Sequence, residues 1–195
     1  MLHALAHGVV HMDHPSTEEA LLKALAVALV DYPRGTLKDI AQAAGVSKAT
    51  LGRHFGTREK LVEMLLDHGT GVINRILTIL NTESAPVEDV FRPLIESHFA
   101  HREFVAFLTH QWHIDSMNGS GGVVRWQPYR DGIDAFFLRG QRSGVFRIDL
   151  GAPVLTELFT STLAGLVDAE RRGRLGRAGM AAQLEQFFLF GASVR

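Results

Sequence analysis

The side chains that could do chemistry in this chain are its 10 histidines and a short run of basic residues, against a background with no cysteine at all. Two histidine pairs, His98-x-x-His101 and His110-x-x-His113, have i, i+3 spacing, which on a helix can set two imidazoles on one metal ion. At 100° per residue, His98 and His101 fall along the apolar stripe of Phe91, Leu94, Ile95, Phe104 and Leu108, while His110 and His113 point mostly away from it. The four do not converge, so no metal is expected. A histidine pair on an apolar face reads as hydrogen-bonded core or as the polar lining of a pocket. His3, His7, His11 and His14 also share one side of a possible helix. They read as a solvated arm over residues 1–14, whose imidazoles are partly protonated near neutral pH. Without cysteine, disulfides and thiolate metal sites are excluded. No nucleophile elbow, His-Glu-x-x-His, phosphate-binding loop or paired-carboxylate pattern is present, so neither enzymatic activity nor a cofactor is expected.

The basic residues carry a clearer signal once they are placed along the chain. Lys and Arg number 20 against 21 Asp and Glu, for a formal charge of -1. Between Arg34 and Lys60, however, Arg34, Lys38, Lys48, Arg53, Arg58 and Lys60 face only Asp39 and Glu59, so this window is +4 and the rest of the chain -5. A basic segment on an acidic body points to nucleic-acid contact. The longest wholly apolar run, Ala24 to Val30, is far short of the roughly 18 to 20 residues that cross a bilayer. No Lys or Arg precedes an apolar stretch at the N-terminus, unlike a secretory signal. The expectation is a soluble, cytoplasmic protein without a membrane partner.

Positioning those residues falls to helices. The 195 residues suit one large domain or a small module joined to a larger one, and helical periodicity without period-2 alternation predicts an all-α fold. Ser16 and Glu19 form a capping-box pattern ahead of a first helix that runs to Val30 and ends before Pro33. Thr36 and Asp39 repeat the pattern for a short second helix that stops at Gly45. After Gly45-Val46-Ser47, Lys48 to Phe55 form a third helix, and Thr57 opens a fourth whose stripe is Leu61, Leu65, Val72, Ile76 and Leu80. Beyond Pro86 an apolar face runs from Val87 through Phe104 and Leu108 to Trp112. Asn118-Gly-Ser-Gly-Gly reads as the most flexible loop in the chain. It precedes a helix carrying Trp126, Tyr129, Ile133, Phe136 and Phe137. Residues 140–151 read as a connection to two final helices, Ala152 to about Glu170 and about Ala178 to Phe190.

Residues 36–55 therefore have helix-turn-helix spacing. The glycine permits a left-handed turn residue, and Ser47 caps a second helix whose first residues can face a major groove. At this point TLKDIAQAAGVSKATLGRHFGTREKLVEMLL resembles the DNA-binding segment of the tetracycline-repressor (TetR) family, strongly over Ser16 to Leu66 and only in plan beyond. The resemblance implies an N-terminal three-helix reading head over residues 15–66, and a helical effector-binding and dimerisation domain over 67–195. It also implies a homodimeric regulator, usually a repressor, that binds double-stranded operator DNA and a small organic effector. It assigns Lys38 to contact at the start of the second helix and Lys48, Ala49, Thr50 and Arg53 to the base-facing side of the third. His54 and Arg58 match phosphate-contacting positions, with Thr36 and Ser47 as caps near the DNA backbone. Lys48 or Arg53 could donate to guanine, and Ala49 or Thr50 could meet a thymine methyl. Gly52 departs from the pattern, standing where the family usually has a phosphate-binding Tyr.

A cavity for an organic effector is expected to draw its wall from His98, His101, Phe104, Trp112, Trp126 and Tyr129, apolar area with a few polar handles. Small residues beside Leu155, Leu158, Phe159, Thr162, Leu184 and Phe187 predict close packing of the last two helices against a second copy. Two other readings stay open: a DNA-binding protein of the same fold with no effector, and a histidine-dependent metal-binding helical protein.

Overall fold

The computed structural model describes residues 17–81, 85–118 and 122–192. Within them the fold is all-α, in nine α-helices: α1 Thr17–Asp31, α2 Leu37–Ala43, α3 Lys48–Phe55, α4 Arg58–Ile76, α5 Val87–Ala100, α6 Arg102–Asn118, α7 Gly122–Arg142, α8 Ala152–Arg171 and α9 Met180–Ala192. A 3-10 turn, Leu77–Asn81, follows α4. No helix among the described residues is long and apolar enough to cross a membrane. The histidines at 3, 7, 11 and 14, the Ser16 cap and the glycine-rich residues 119–121 lie outside the described residues. Glu19, the other half of the expected first capping box, pairs with Lys23 at 2.9 Å.

The reading head closes around a small core. Leu25, Ala26 and Leu29 of α1, Ile40 and Ala41 of α2, Leu51 of α3 and Leu61 and Leu65 of α4 are all buried. Leu51 is the buried residue of the two-turn α3 and Phe55 packs half-buried beside the core, which leaves Lys48, Ala49, Arg53 and His54 to face outward. Helix α4 then continues unbroken through the 66/67 boundary drawn from the sequence. Its C-terminal half enters the body, where Gly69 lets Leu108 of α6 approach to 3.2 Å of a would-be Cβ. A continuous helix transmits rotation of one end to the other, so head and body are mechanically joined.

The body is built on phenylalanine. The ring of Phe91 on α5 lies 5.7–6.3 Å from those of Phe136, Phe137, Phe146, Phe159 and Phe188, and all six are buried. Edge-to-face and offset contacts of this kind add to the area each ring removes from water. Phe146 comes from the segment read as a mere connection. Its entry depends on Gly140, where a Cβ would fall 2.3 Å from the Phe146 ring. Gly144 turns with φ +79°, and Gln141 Nε2 donates to the carbonyls of Arg147 and Leu150 at 2.8 and 2.6 Å, fixing the segment beneath α7.

The long apolar face from Val87 to Trp112 is not one helix. It breaks at His101, with φ -115° and ψ 29°, where Arg102 donates to the Phe99 carbonyl at 3.1 Å and satisfies the end of α5. Periodicity survived the break because α6 resumes one residue later with the same inward phase.

Candidate DNA-binding interface and effector cavity

Each element of the helix-turn-helix is set by a side chain taking up orphan amides. Thr36 Oγ1 accepts from the Asp39 amide at 3.3 Å, and the Asp39 carboxylate accepts from the Thr36 amide at 2.8 Å and the Thr36 hydroxyl at 2.7 Å. Those bonds, first the hydroxyl and then the amide, hold the Asp39 carboxyl below its ordinary range. Ser47 Oγ accepts from the Thr50 amide at 3.0 Å and shares a 2.8 Å bond with the Thr50 hydroxyl. Between the two helices Gly45 takes φ +72°, and the Val46 amide returns to the Ala41 carbonyl at 2.9 Å. The turn thus ends one helix and starts the next within four residues.

This geometry leaves one arc of α3 outward. Leu51 is buried, whereas Lys48, Ala49, Arg53 and His54 are exposed and Thr50 is half-buried. Lys38 is exposed at the start of α2. Lys48 and Gly52, and Ala49 and Arg53, are i, i+4 pairs, so Gly52 opens the middle of the outward arc. Nothing lies within 4 Å of a Cβ built there.

Arg58 is held differently from the other basic residues. Its Nε donates to the Gly35 carbonyl at 3.1 Å and an Nη to the Pro33 carbonyl at 2.7 Å. The guanidinium therefore clamps the α1–α2 loop onto the first turn of α4, a structural task that the sequence pattern does not reveal. Gly35 makes the loop tight enough for this, since a Cβ there would meet that of Tyr32 at 2.9 Å.

The expected pocket residues are brought together, but as packed core. His98 is buried; its Nδ1 donates to the Leu94 carbonyl at 2.7 Å and its Nε2 accepts from the Tyr129 hydroxyl at 2.8 Å. Burial pushes the His98 imidazole down to about 4 and the Tyr129 phenol up. Trp112 and Trp126 meet edge to face at 6.0 Å, with the Arg130 guanidinium 5.6 Å from the Trp112 ring centre. Phe104 is buried against His68, with ring centres 5.1 Å apart. Of the six, only His101 lines a cavity formed at the junction of head and body. That cavity, about 510 Å³, opens where α1, α4 and α5 meet, between Glu18, Glu19 and Leu22 on one side and His68, Val72, Arg75 and Ile76 on the other. Sequence reasoning missed it because three elements contribute. One signal was present: His68 stands three residues after Leu65 and four before Val72, a polar group on an otherwise apolar stripe.

The expected dimer residues divide into two faces. Leu155, Phe159 and Leu184 are buried inside the protomer, which corrects their assignment to a surface. They line up with Leu163, Val167 and Phe188 as the inward stripe. Leu158 and Phe187 are 47% and 63% exposed, and Thr162 is half-buried. They continue outward with Val154 at 48% and Phe190 at 77% exposure. A spacing of three residues from Leu155 to Leu158 is enough to change face, which a helix apolar on both sides conceals.

Comparison with known proteins agrees with this architecture. Residues 26–65 match the model of the bacterial regulatory proteins of the tetR family. The HTH-type transcriptional regulator NfxB of Pseudomonas aeruginosa is 53% identical over 178 residues, covering 91% of this chain and 95% of that protein. The HTH-type transcriptional repressor LfrR of Mycolicibacterium smegmatis is 32% identical over 95 residues, about half of each chain. Among solved structures, the MbdR regulator from Azoarcus sp. CIB superposes with a TM-score of 0.70 at 20% identity, covering 91% of this chain and 99% of that one. LfrR in complex with proflavine gives 0.65 at 22% identity, covering 91% and 96%. At those identities the structures speak for the fold, while the identity to NfxB runs through body and head alike. That reach across nine-tenths of the sequence, around a capped helix-turn-helix with its basic arc outward, makes the chain a member of the TetR family of bacterial DNA-binding transcriptional regulators.

Proposed function

We propose that the protein is a homodimeric repressor that occupies a palindromic operator and is released from it by a small organic effector. The observation that carries the dimeric reading is the outward apolar band of α8 and α9, Val154, Leu158, Phe187 and Phe190. Exposed apolar surface rimmed by polar residues marks an interaction site, and two copies joined about a two-fold axis would bury this band against itself. Two reading heads held this way meet half-sites separated by about 34–36 Å, one turn of DNA. Lys48 and Arg53 then read base edges, while Lys38 and His54 meet phosphate. Thr36 and Ser47 hold the helix ends near the DNA backbone, and Arg58 keeps the α1–α2 loop in place beside it. Repression and effector release are supported by LfrR, a relative named as a repressor whose structure holds proflavine. Release requires that the effector prefer the DNA-incompetent arrangement, since equal affinity for both states shifts nothing.

Light scattering of the purified protein and footprinting on the DNA upstream of its own gene test this together. A dimer mass and a symmetric, salt-sensitive footprint are expected. The double substitution Leu158→Glu, Phe187→Glu should give a monomer that loses the footprint. A monomeric wild type, or binding without sequence preference, would overturn the proposal.

A further inference from the structure

The cavity between α1, α4 and α5 belongs neither to the packed aromatic body nor to the DNA-facing arc, and the charges around it cancel. Glu19 is held by Lys23 at 2.9 Å, and the exposed Glu18 on the α1 side stands against the exposed Arg75 on the α4 side. Two acidic and two basic side chains leave no surplus of either sign for a charged ligand to use. The wall between them is uncharged. Leu22, Val72, Ile76 and Ile79 supply apolar area, and water lying against it gains by being displaced. Burial pushes the imidazoles of His68 and His101 below their ordinary range, so both are neutral rings at neutral pH. A neutral imidazole has one nitrogen that donates and one that accepts. His101 Nδ1 is buried without a hydrogen-bond partner, a cost that turning the ring toward a ligand hydroxyl removes. A volume of about 510 Å³ lies in the range of about 300 to 1,000 Å³ typical of small-molecule sites.

From this we infer that the junction cavity binds an uncharged, largely apolar molecule that carries a hydroxyl group, its body against Leu22, Val72 and Ile76 and its hydroxyl at His101. A hydroxyl donates or accepts, so it meets either tautomer of the ring. A formal charge on the ligand would lose its water without gaining a surplus of opposite charge in return. The effector-release reading above is needed only for the consequence of that binding. A molecule held there touches α1 of the reading head and both α4 and α5 at once. Occupancy therefore favours whichever angle between head and body best fits the ligand, and operator affinity follows that angle.

Three probes on one ring system separate the possibilities: 2-naphthol, 2-naphthoate and the 2-naphthylmethylammonium cation, titrated by calorimetry into the full-length protein at neutral pH. The naphthol should bind, and each charged analogue should bind about tenfold more weakly or worse. Ser97→Phe should block the naphthol by filling the cavity. His101→Phe, which keeps a ring and removes the hydrogen bond, should weaken it about fivefold. Glu18→Gln with Arg75→Gln removes one charge of each sign and should leave it within about twofold. Tyr129→Phe, in the packed body, should not change it, and circular dichroism checks that each variant is folded. The inference is overturned if the naphthol fails to bind, if either charged analogue binds as tightly, or if binding depends on Tyr129. It is equally overturned if binding survives Ser97→Phe, and His101→Phe, nearly the same shape as the wild type, decides the matter should the larger substitution not fold. Operator occupancy is measured beside binding. Naphthol that releases the operator equally from wild type and from Ser97→Phe sinks the cavity and keeps the effector-release reading. Naphthol that binds in the cavity yet leaves operator occupancy unchanged keeps the cavity and sinks that reading for this ligand class.

Discussion

The head and the body of this protein are held by different physics. In the head, helices of seven and eight residues are too short to be stable alone, and what fixes them is local: Thr36, Ser47 and Thr57 each take up an orphan amide three residues on. In the body, α5 to α9 are held by contacts between residues far apart in sequence, with Phe91 touching rings from α7, α8, α9 and the 140–151 segment. The head can therefore spend its whole outward arc on recognition, while the body has almost no buried residue that is not packing. A substitution in the body should read out as stability, and one on the arc as specificity.

The largest effect tests the body half of that contrast. Phe91→Ala removes the ring common to five aromatic contacts and should cost about 3 to 5 kcal/mol. Urea titration should show an earlier midpoint in near-UV and far-UV signals together. A loss below about 1 kcal/mol would mean that the cluster is loosely packed.

The next effect concerns a buried polar group in the same core. His98 titrates at about 4 in the folded protein against an ordinary 6.5, mainly through desolvation, so the unfolded chain binds a proton that the folded one refuses. Its contribution is intact above pH 6.5 and is lost as pH falls toward 4, by up to about 3 kcal/mol. Stability measured from pH 7 to pH 4 should slope downward in the wild type. His98→Gln should flatten that slope, and an unchanged slope would assign the acid sensitivity to other groups.

The same contrast explains what could be read in advance. Thr36 with Asp39, Gly45, Ser47 and Thr57 are legible because a cap is a relation among neighbours in sequence, and each formed as its pattern predicts. The spans of α8 and α9 are legible from periodicity to within about two residues at each end, whereas the body's helix count is not, since one apolar face covers both α5 and α6. Which face of α8 turns inward is not: Leu155 and Leu158 are equally apolar, and only the partners Phe91 and Phe188 decide between them. The break at His101, the plug by Phe146 and the cavity shared by α1, α4 and α5 depend on three-dimensional neighbours that no local pattern carries. The recognition arc was found by resemblance joined to charge, while Arg58, bonded to the carbonyls of Pro33 and Gly35, reveals its structural task only in the fold.

On the arc, effects should move from stability to selectivity. Arg53→Ala removes an exposed side chain with no cost to the core, so unfolding should shift by no more than about 0.5 kcal/mol. Discrimination between operator and mismatched DNA should fall by about 1 to 3 kcal/mol if Arg53 reads a guanine. Competition binding at fixed salt measures this, because a mere phosphate contact would weaken all sequences alike and flatten the salt dependence instead.

The smallest effect sits where the two halves of the contrast meet. Gly52 lies inside α3, costing up to about 1 kcal/mol of helix propensity relative to Ala, yet no neighbour comes within 4 Å of a Cβ placed there and its φ is not among the positive ones. Nothing inside the protomer therefore requires glycine, and Gly52→Ala should stabilise the head by about 0.4 to 1 kcal/mol, partly by restricting the unfolded chain. If stability rises while operator affinity falls, the constraint on this residue comes from DNA approaching between Lys48 and Arg53. If both rise, the glycine is a plain weakness in the recognition helix, and the arc tolerates a side chain between Lys48 and Arg53.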